Sequence, residues 1–225
     1  LCQRIFVSVG MELYDFESEH AMTGRHTVQP HKGRPREFDA DSALDKALHV
    51  FWQRGYEGAS LSDLTEAMGI NRPSLYAAFG NKEELFRRAL DRYAERGPGR
   101  ALNEALAEPT ARDVVARLLK NVAISLTDPS NPRGCLSVQA ALTCGEASDA
   151  IKQELCKRRA EAEQKLRARL ERAIDEGDLS FDADAARLAR FVSTVTQGMS
   201  VQAAGGASRD DLLHVADMAM KAWPG

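Results

Sequence analysis

The sequence predicts an all-α fold, and three observations carry that reading. Beyond residue 38, apolar residues recur at i, i+3, i+4 and i+7 through most of the chain. No segment sustains apolar–polar alternation, and clusters of β-branched residues are scarce. Helix-starting Ser, Asn and Asp residues and terminating glycines punctuate the apolar stretches at helical intervals. The order of these signals gives a small N-terminal helical unit followed by a larger helical bundle.

The first helix begins near Asp39 to Ser42, carries the stripe Leu44, Ala47, Leu48 and Phe51, and stops at Gly55. Ser60 caps the second, with Asp63 three residues on in a capping-box position and Gly69 closing it. Asn71 caps a short third helix that ends near Phe79 and Gly80. Asn81 with Glu84 caps the fourth, whose buried side is Leu85, Phe86, Ala89, Leu90 and Tyr93. Arg96-Gly97-Pro98-Gly99-Arg100 then interrupts or kinks that helix, and the domain junction is expected there, although a long connecting helix could run past it. Helical signals resume over about 110–126, in an apolar segment 135–144, and over about 148–176, 183–203 and 208–223. The expected organisation is a disordered extension with a basic arm (1–36), a helix-turn-helix domain (37–96) and a C-terminal bundle (97–225).

Residues 60–79 have the form of a helix-turn-helix. Leu64, Ile70 and Leu75 would meet between two steeply crossing helices, with Gly69 supplying the positive φ of the turn. In that geometry the second helix enters the major groove and uses its N-terminal residues on base edges. Pro73 is tolerated because first-turn N–H groups have no intrahelical acceptor, and its fixed φ stiffens the reading end. Arg72, Ser74 and Tyr76 are left pointing outward. Asn81 and Lys82 open the next helix, where free N–H groups favour a phosphate. The alternative is a structural helix-turn-helix inside some other helical protein.

Composition agrees with a globular chain: 225 residues, 44 % hydrophobic and 28 % charged, with no run near the ~20 apolar residues of a membrane span. The opening LCQRIFVSVGMELYDF is too short and wrongly flanked for a secretion signal. The chain starts with Leu, with Met11 and Met22 just inside, so its first ten to twenty residues are expected to be an over-extended reading frame or expression remnant. Cys2, Cys135, Cys144 and Cys156 show no metal-ligand spacing, and a reduced, cytoplasmic setting is expected, with no metal or cofactor. A net charge of −3 leaves room for a local basic arm: Arg25, Lys32, Arg34 and Arg36 occur with no acid between Met22 and Arg36. No nucleophile–base pair or Gly-rich phosphate loop argues for an enzyme.

Phe38 to Leu85 resembles the N-terminal domain of the TetR/AcrR family of transcriptional regulators. The matching pieces are Gly55-Tyr56, Ala59-Ser60-Leu61-Ser62-Asp63-Leu64, Gly69-Ile70-Asn71, Ser74-Leu75-Tyr76 with Phe79, and Asn81-Lys82-Glu83-Glu84-Leu85. The NPRGCL segment at Cys135 and the TQGMSVQAAGGAS run resemble one subset of that family. The resemblance implies a homodimeric repressor that binds a roughly palindromic operator and is released by a small molecule held in the C-terminal bundle. Ser60, Arg72, Ser74, Tyr76 and Lys82 stand at DNA-contacting places, and Pro73, Asn81, Arg34 and Arg36 join them as candidates. Ala77, where His or another polar residue is frequent, and Thr65, where Ala is usual, depart from the pattern.

The last two helices carry more apolar residues than one stripe needs. Leu188, Val192, Val195 and Met199 on one, and Leu212, Val215, Met218 and Trp223 on the other, are the dimerisation candidates, unless both helices are simply core. Cys135, Cys144, Phe191 and Met199 are the candidates for ligand contact. Cys135 also raises a redox or electrophile sensor, because a helix start and Arg133 would favour its thiolate. A packed, inert thiol is the competing reading. The charged run 157–172, with Glu161–Lys165 and Glu163–Arg167 at i, i+4, reads as a solvated helix face. A DNA-binding architectural protein without inducer also stays open.

Overall fold

A computed structural model describes residues 38–96, 98–143 and 148–224, so the basic arm with Arg34 and Arg36, and Cys144, lie outside the described residues. Ten helices occur among the described residues: α1 (Ala40–Gly58), α2 (Leu61–Met68), α3 (Arg72–Phe79), α4 (Lys82–Arg96), α5 (Pro98–Ala105), α6 (Ala111–Leu126), α7 (Leu136–Thr143), α8 (Asp149–Asp175), α9 (Ala185–Ala204) and α10 (Arg209–Lys221). None is long and apolar enough to cross a membrane.

Capping chemistry sets most of these boundaries. Asp39 accepts from the Asp41 N–H at the head of α1, and Gly55 breaks that helix with φ 71° and ψ 178° before one last turn. Ser208 and Asp211 form a reciprocal capping box on α10, and Thr110 caps α6. The sequence reading left open a helix running past Arg96, and α5 is a separate helix there: Pro98 is its first residue, where a missing N–H costs nothing.

Around the head of the molecule, α1 and α4 form the frame on which α2 and α3 lie. Phe51 and Phe86 meet edge to face at 4.9 Å, and Tyr56 adds a second such contact to Phe86 at 5.1 Å. Arg92 of α4 ties α1 at Asp45 (2.8 Å) and Asp41 (3.3 Å), and Arg96 reaches Asp45 at 2.7 Å. These guanidinium bonds, Arg92 foremost, hold the Asp45 carboxyl below the usual carboxylate range. Helix α4 then runs on into the bundle of α5–α10, so residues 38–225 pack as one unit.

On α8 the ion pairs differ from the i, i+4 set expected from the sequence. Glu161 faces Lys157 at 3.9 Å, Arg167 faces Glu171 at 2.7 Å, and Glu163 crosses to Arg190 of α9 at 2.9 Å. Glu163 is thereby drawn toward α9, while Lys157, Glu161, Lys165, Arg167 and Glu171 stay exposed, as expected of a solvated face.

Candidate DNA-reading face and internal cavity

The α2–α3 pair is built by three caps and one glycine. The Ser60 hydroxyl accepts from the Asp63 N–H at 3.1 Å, and the Asp63 carboxylate accepts from the Ser60 N–H at 3.0 Å. Those bonds, with Arg54 at 2.6 Å, draw the Asp63 carboxyl down to about 2. Gly69 turns the chain with φ 72° and ψ 29°, and Asn71 accepts from the Ser74 N–H at 2.9 Å to start α3. Leu64 and Leu75 are fully buried and Ile70 packs beside them, as the sequence spacing requires.

Helix α3 buries only Leu75 and Phe79. Arg72, Pro73, Tyr76 and Ala77 are exposed, Tyr76 by 49 %, and Ser74 is half-buried. The Arg72 guanidinium donates to the Ser62 hydroxyl at 3.0 Å, which holds it along the outer edge of the pair. One residue past α3, Gly80 takes φ 74°, and a Cβ there would lie 1.8 Å from the Glu84 carboxylate. That carboxylate accepts from the Asn81 N–H at 2.8 Å while Asn81 accepts from the Glu84 N–H at 2.9 Å. Lys82 is half-buried with its ammonium 4.6 Å from the centre of the Tyr56 ring. Burial holds that ammonium below the usual lysine range, with Glu57 acting the other way. Ser60, Arg72, Pro73, Ser74, Tyr76, Asn81 and Lys82 therefore share the α2–α3–α4 corner of the head.

A cavity of about 400 Å³ lies between α4, α5, α6, α8 and α9. Leu90, Leu118, Val122, Leu126, Leu166 and Val192 supply apolar wall, and Tyr93, Cys135 and Ser200 meet at one end. Cys135 lines the cavity there, and residues 134–136 bond both to cavity-lining residues and to Trp52 of α1. The Gly134 carbonyl accepts from the Trp52 indole N–H of α1 at 3.0 Å, and the Gly134 N–H donates to the Leu126 carbonyl at 3.3 Å. The Cys135 N–H donates to the Ser200 hydroxyl at 2.8 Å, and the Leu136 N–H to the Tyr93 hydroxyl at 3.3 Å. Trp52 in turn meets the Tyr93 ring edge to face at 4.7 Å. Gly134 has φ 86°, and a Cβ there would meet the Gln139 amide at 2.0 Å, so only glycine fits. Burial pushes the Tyr93 phenol well above the usual tyrosine range, and Cys135 beside it adds to the shift.

The remaining candidates divide by helix phase. Cys135 lines the cavity, but Phe191 and Met199 do not: Phe191 is 39 % exposed on the outside of α9, and Met199 is buried in the core. The Arg133 guanidinium bonds the Ala207 carbonyl at 3.2 Å, so the support expected for a Cys135 thiolate is directed elsewhere. Cys135 is buried and its sulfur lies 3.0 Å from the Ser137 hydroxyl. Of the dimerisation candidates, Val192, Met199, Leu212 and Trp223 are buried within the chain's own core, because they occupy the inward phase of α9 and α10. Val215 and Met218 are 42 % and 62 % exposed, and Leu188 and Val195 pack partly buried between these groups. The sequence reading missed that α8 lines the cavity, with Arg158 and Arg159 half-buried and Lys165 exposed. Leu155, Ala162 and Leu166 at helical spacing were the available signal, masked by the surrounding charge.

Residues 43–89 match the family described as "Bacterial regulatory proteins, tetR family", and residues 111–216 match "Tetracyclin repressor-like, C-terminal domain". The chain is 37 % identical over 198 residues to the HTH-type transcriptional repressor ComR of Escherichia coli (strain K12), covering 88 % of this chain and 94 % of ComR. Its fold is similar, with a TM-score of 0.81 and 49 % identity, to a cysteine mutant of the TetR family transcriptional regulator CifR complexed with 26-base-pair double-strand operator DNA. That likeness covers 85 % of this chain and all of the CifR chain. A putative TetR transcriptional regulator from Rhodococcus sp. RHA1 is 42 % identical with a TM-score of 0.57, over 83 % of this chain and 100 % of that one.

Proposed function

The chain belongs to the tetR family of bacterial regulatory proteins, and from that premise we propose that it is a cytoplasmic, homodimeric repressor that binds double-stranded operator DNA and is released by a small molecule. The observation that carries the reading is the capped, proline-stiffened α3, which buries two residues and leaves Pro73 and Tyr76 exposed to meet base edges, with Arg72 exposed beside them on its bond to Ser62. Residues 37–96 act as the reading head and 97–225 as the sensing and dimer-forming bundle. Asn81 and Lys82 at the start of α4 receive a backbone phosphate, and Ser60 and Ser74 receive its neighbours. The exposed apolar residues Phe191, Val215 and Met218, bordered by Leu188 and Val195, form the dimer surface. Two heads spaced about one helical turn, ~34 Å, then read a two-fold operator.

The cavity is the effector site in this reading, and residues 134–136 couple it to the head. A molecule that displaces Tyr93, Leu126 or Ser200 also displaces the loop carbonyl that holds Trp52 of α1. The test is a fluorescence-anisotropy titration with DNA from upstream of the protein's own gene, repeated over a range of salt. Specific, salt-dependent binding is expected. Tyr76→Ala should cost about 1–3 kcal/mol and relax specificity, while Lys82→Ala should weaken binding across sequences and lower the salt slope by about 1. If both variants bind like wild type, α3 is not the reading helix. Sequence-indifferent binding would instead support the architectural role.

A further inference from the structure

The charge on the cavity wall identifies the kind of molecule it takes, a step that rests on the cavity's being the effector site. Its lining is apolar over α4, α6 and α9 but carries three cations from one face of α8: Arg158, Arg159 and Lys165. Arg158 is already matched, by Asp91 and Glu154, each at 2.7 Å. Glu161 is the acidic residue of the lining, and its carboxylate lies 3.9 Å from the Lys157 ammonium, with no ion pair to Arg159 or Lys165 among the described residues. Arg159 bonds the Ser137 carbonyl at 2.8 Å and lies 3.2 Å from the Cys156 sulfur, with no carboxylate at ion-pair distance among the described residues. Lys165 has no ion pair among them either, although the sequence offers it Glu161 at i−4.

Lys165 also borders a second recess, shared with Leu106, Ala168, Arg169 and Arg172. Arg169 is 5 % exposed there with no carboxylate among the described residues. One of its nitrogens bonds the Glu108 and Pro109 carbonyls, at 2.9 and 2.8 Å, while Nε and Nη1 have no partner. Arg172 adds a further positive charge, paired at the surface with Glu176 at 3.4 Å. Lys165 thus stands where an apolar chamber meets an under-neutralised basic one. Lys165 is itself exposed, so water screens it in part, and the apolar wall beside it strengthens its attraction for an anion that reaches into the cavity.

We propose that the effector is an amphipathic monocarboxylate, whose apolar body fills the α4–α6–α9 side and whose carboxylate pairs with Lys165, with Arg159 on the same wall. A charge-assisted bond of this kind favours the acid over its neutral isostere by about 10-fold or more. The probes are decanoate, below its micelle concentration, and decanamide, titrated by calorimetry against the full chain at fixed ionic strength. Decanoate is expected to bind at least about 10-fold tighter than decanamide. Lys165→Gln should bring that ratio close to one, and Arg159→Gln should lower it in part. Equal binding of acid and amide, binding of neither, or a ratio that survives both substitutions overturns the proposal. Operator affinity of the same sample without probe is measured alongside. Intact operator binding with no acid preference sinks the ligand class alone, whereas absent operator binding sinks the repressor reading itself.

Discussion

Replacing Trp52 by Phe tests whether the head and the bundle are joined where the structure joins them. Phenylalanine keeps an aromatic ring against Tyr93 but removes the indole N–H that donates to the Gly134 carbonyl at 3.0 Å. The donor is buried, and Gly134 cannot turn its carbonyl to another partner without moving the Cys135 and Leu136 N–H groups bonded to Ser200 and Tyr93. A buried acceptor left without its donor costs about 1–3 kcal/mol. Part of the edge-to-face contact, worth about 0.5–1.5 kcal/mol, survives in the smaller ring. The net expectation is a loss of about 1–3 kcal/mol, which at roughly 2–4 °C per kcal/mol lowers Tm by several degrees. Thermal unfolding followed by circular dichroism reads this, at one fixed protein concentration because a dimer's Tm depends on it. Operator anisotropy with and without decanoate reads the second consequence, a smaller effect of the probe on operator affinity in the variant. A Tm within about 1 °C of wild type together with an unchanged probe effect would refute the coupling.

The capping box on α2 makes stability pH-dependent in the acid range. The Asp63 carboxyl, drawn from 3.8 to about 2 by its bonds to Ser60 and Arg54, stabilises the fold above pH 4, and that contribution disappears as pH falls from about 4 to about 2. Asp63→Asn should flatten the acid limb of a urea-midpoint-versus-pH curve, and an unaltered limb would show that the box does not hold in solution. On the far side of the molecule, Met218→Asp places a charge on a side chain that is 62 % exposed, so the protomer should fold while the dimer dissociates. Sedimentation velocity at micromolar protein would then show a monomer; a persistent dimer would put the interface elsewhere.

The head was legible because its signals are local. Ser60 with Asp63, Gly69, Asn71 and Pro73 each fix backbone within a few residues, and the structure follows them almost residue by residue. The resumed helical signals also placed α6, α9 and α10 to within two residues. The bundle was harder, because helix phase depends on which neighbour a face meets. Met199 and Leu212 could equally have faced a partner, and only the packing of α9 and α10 against α6, α8 and each other turns them inward. The cavity was hidden for a related reason. Arg159 and Lys165 lie in a stretch so charged that it resembles a solvated surface, and only the placing of α8 beside α4, α5, α6 and α9 makes them part of a cavity wall. The bond from Trp52 to Gly134 spans 82 residues and leaves no local trace.

One indole resting on one loop carbonyl makes the two halves of this chain a matched pair. A chimera that joined residues 37–96 to a foreign bundle would keep the ring against Tyr93 but leave the indole N–H without the carbonyl it donates to. Any lineage that exchanges its sensor while keeping its reader has to bring residues 134–136 across the crossover, or build a new seam.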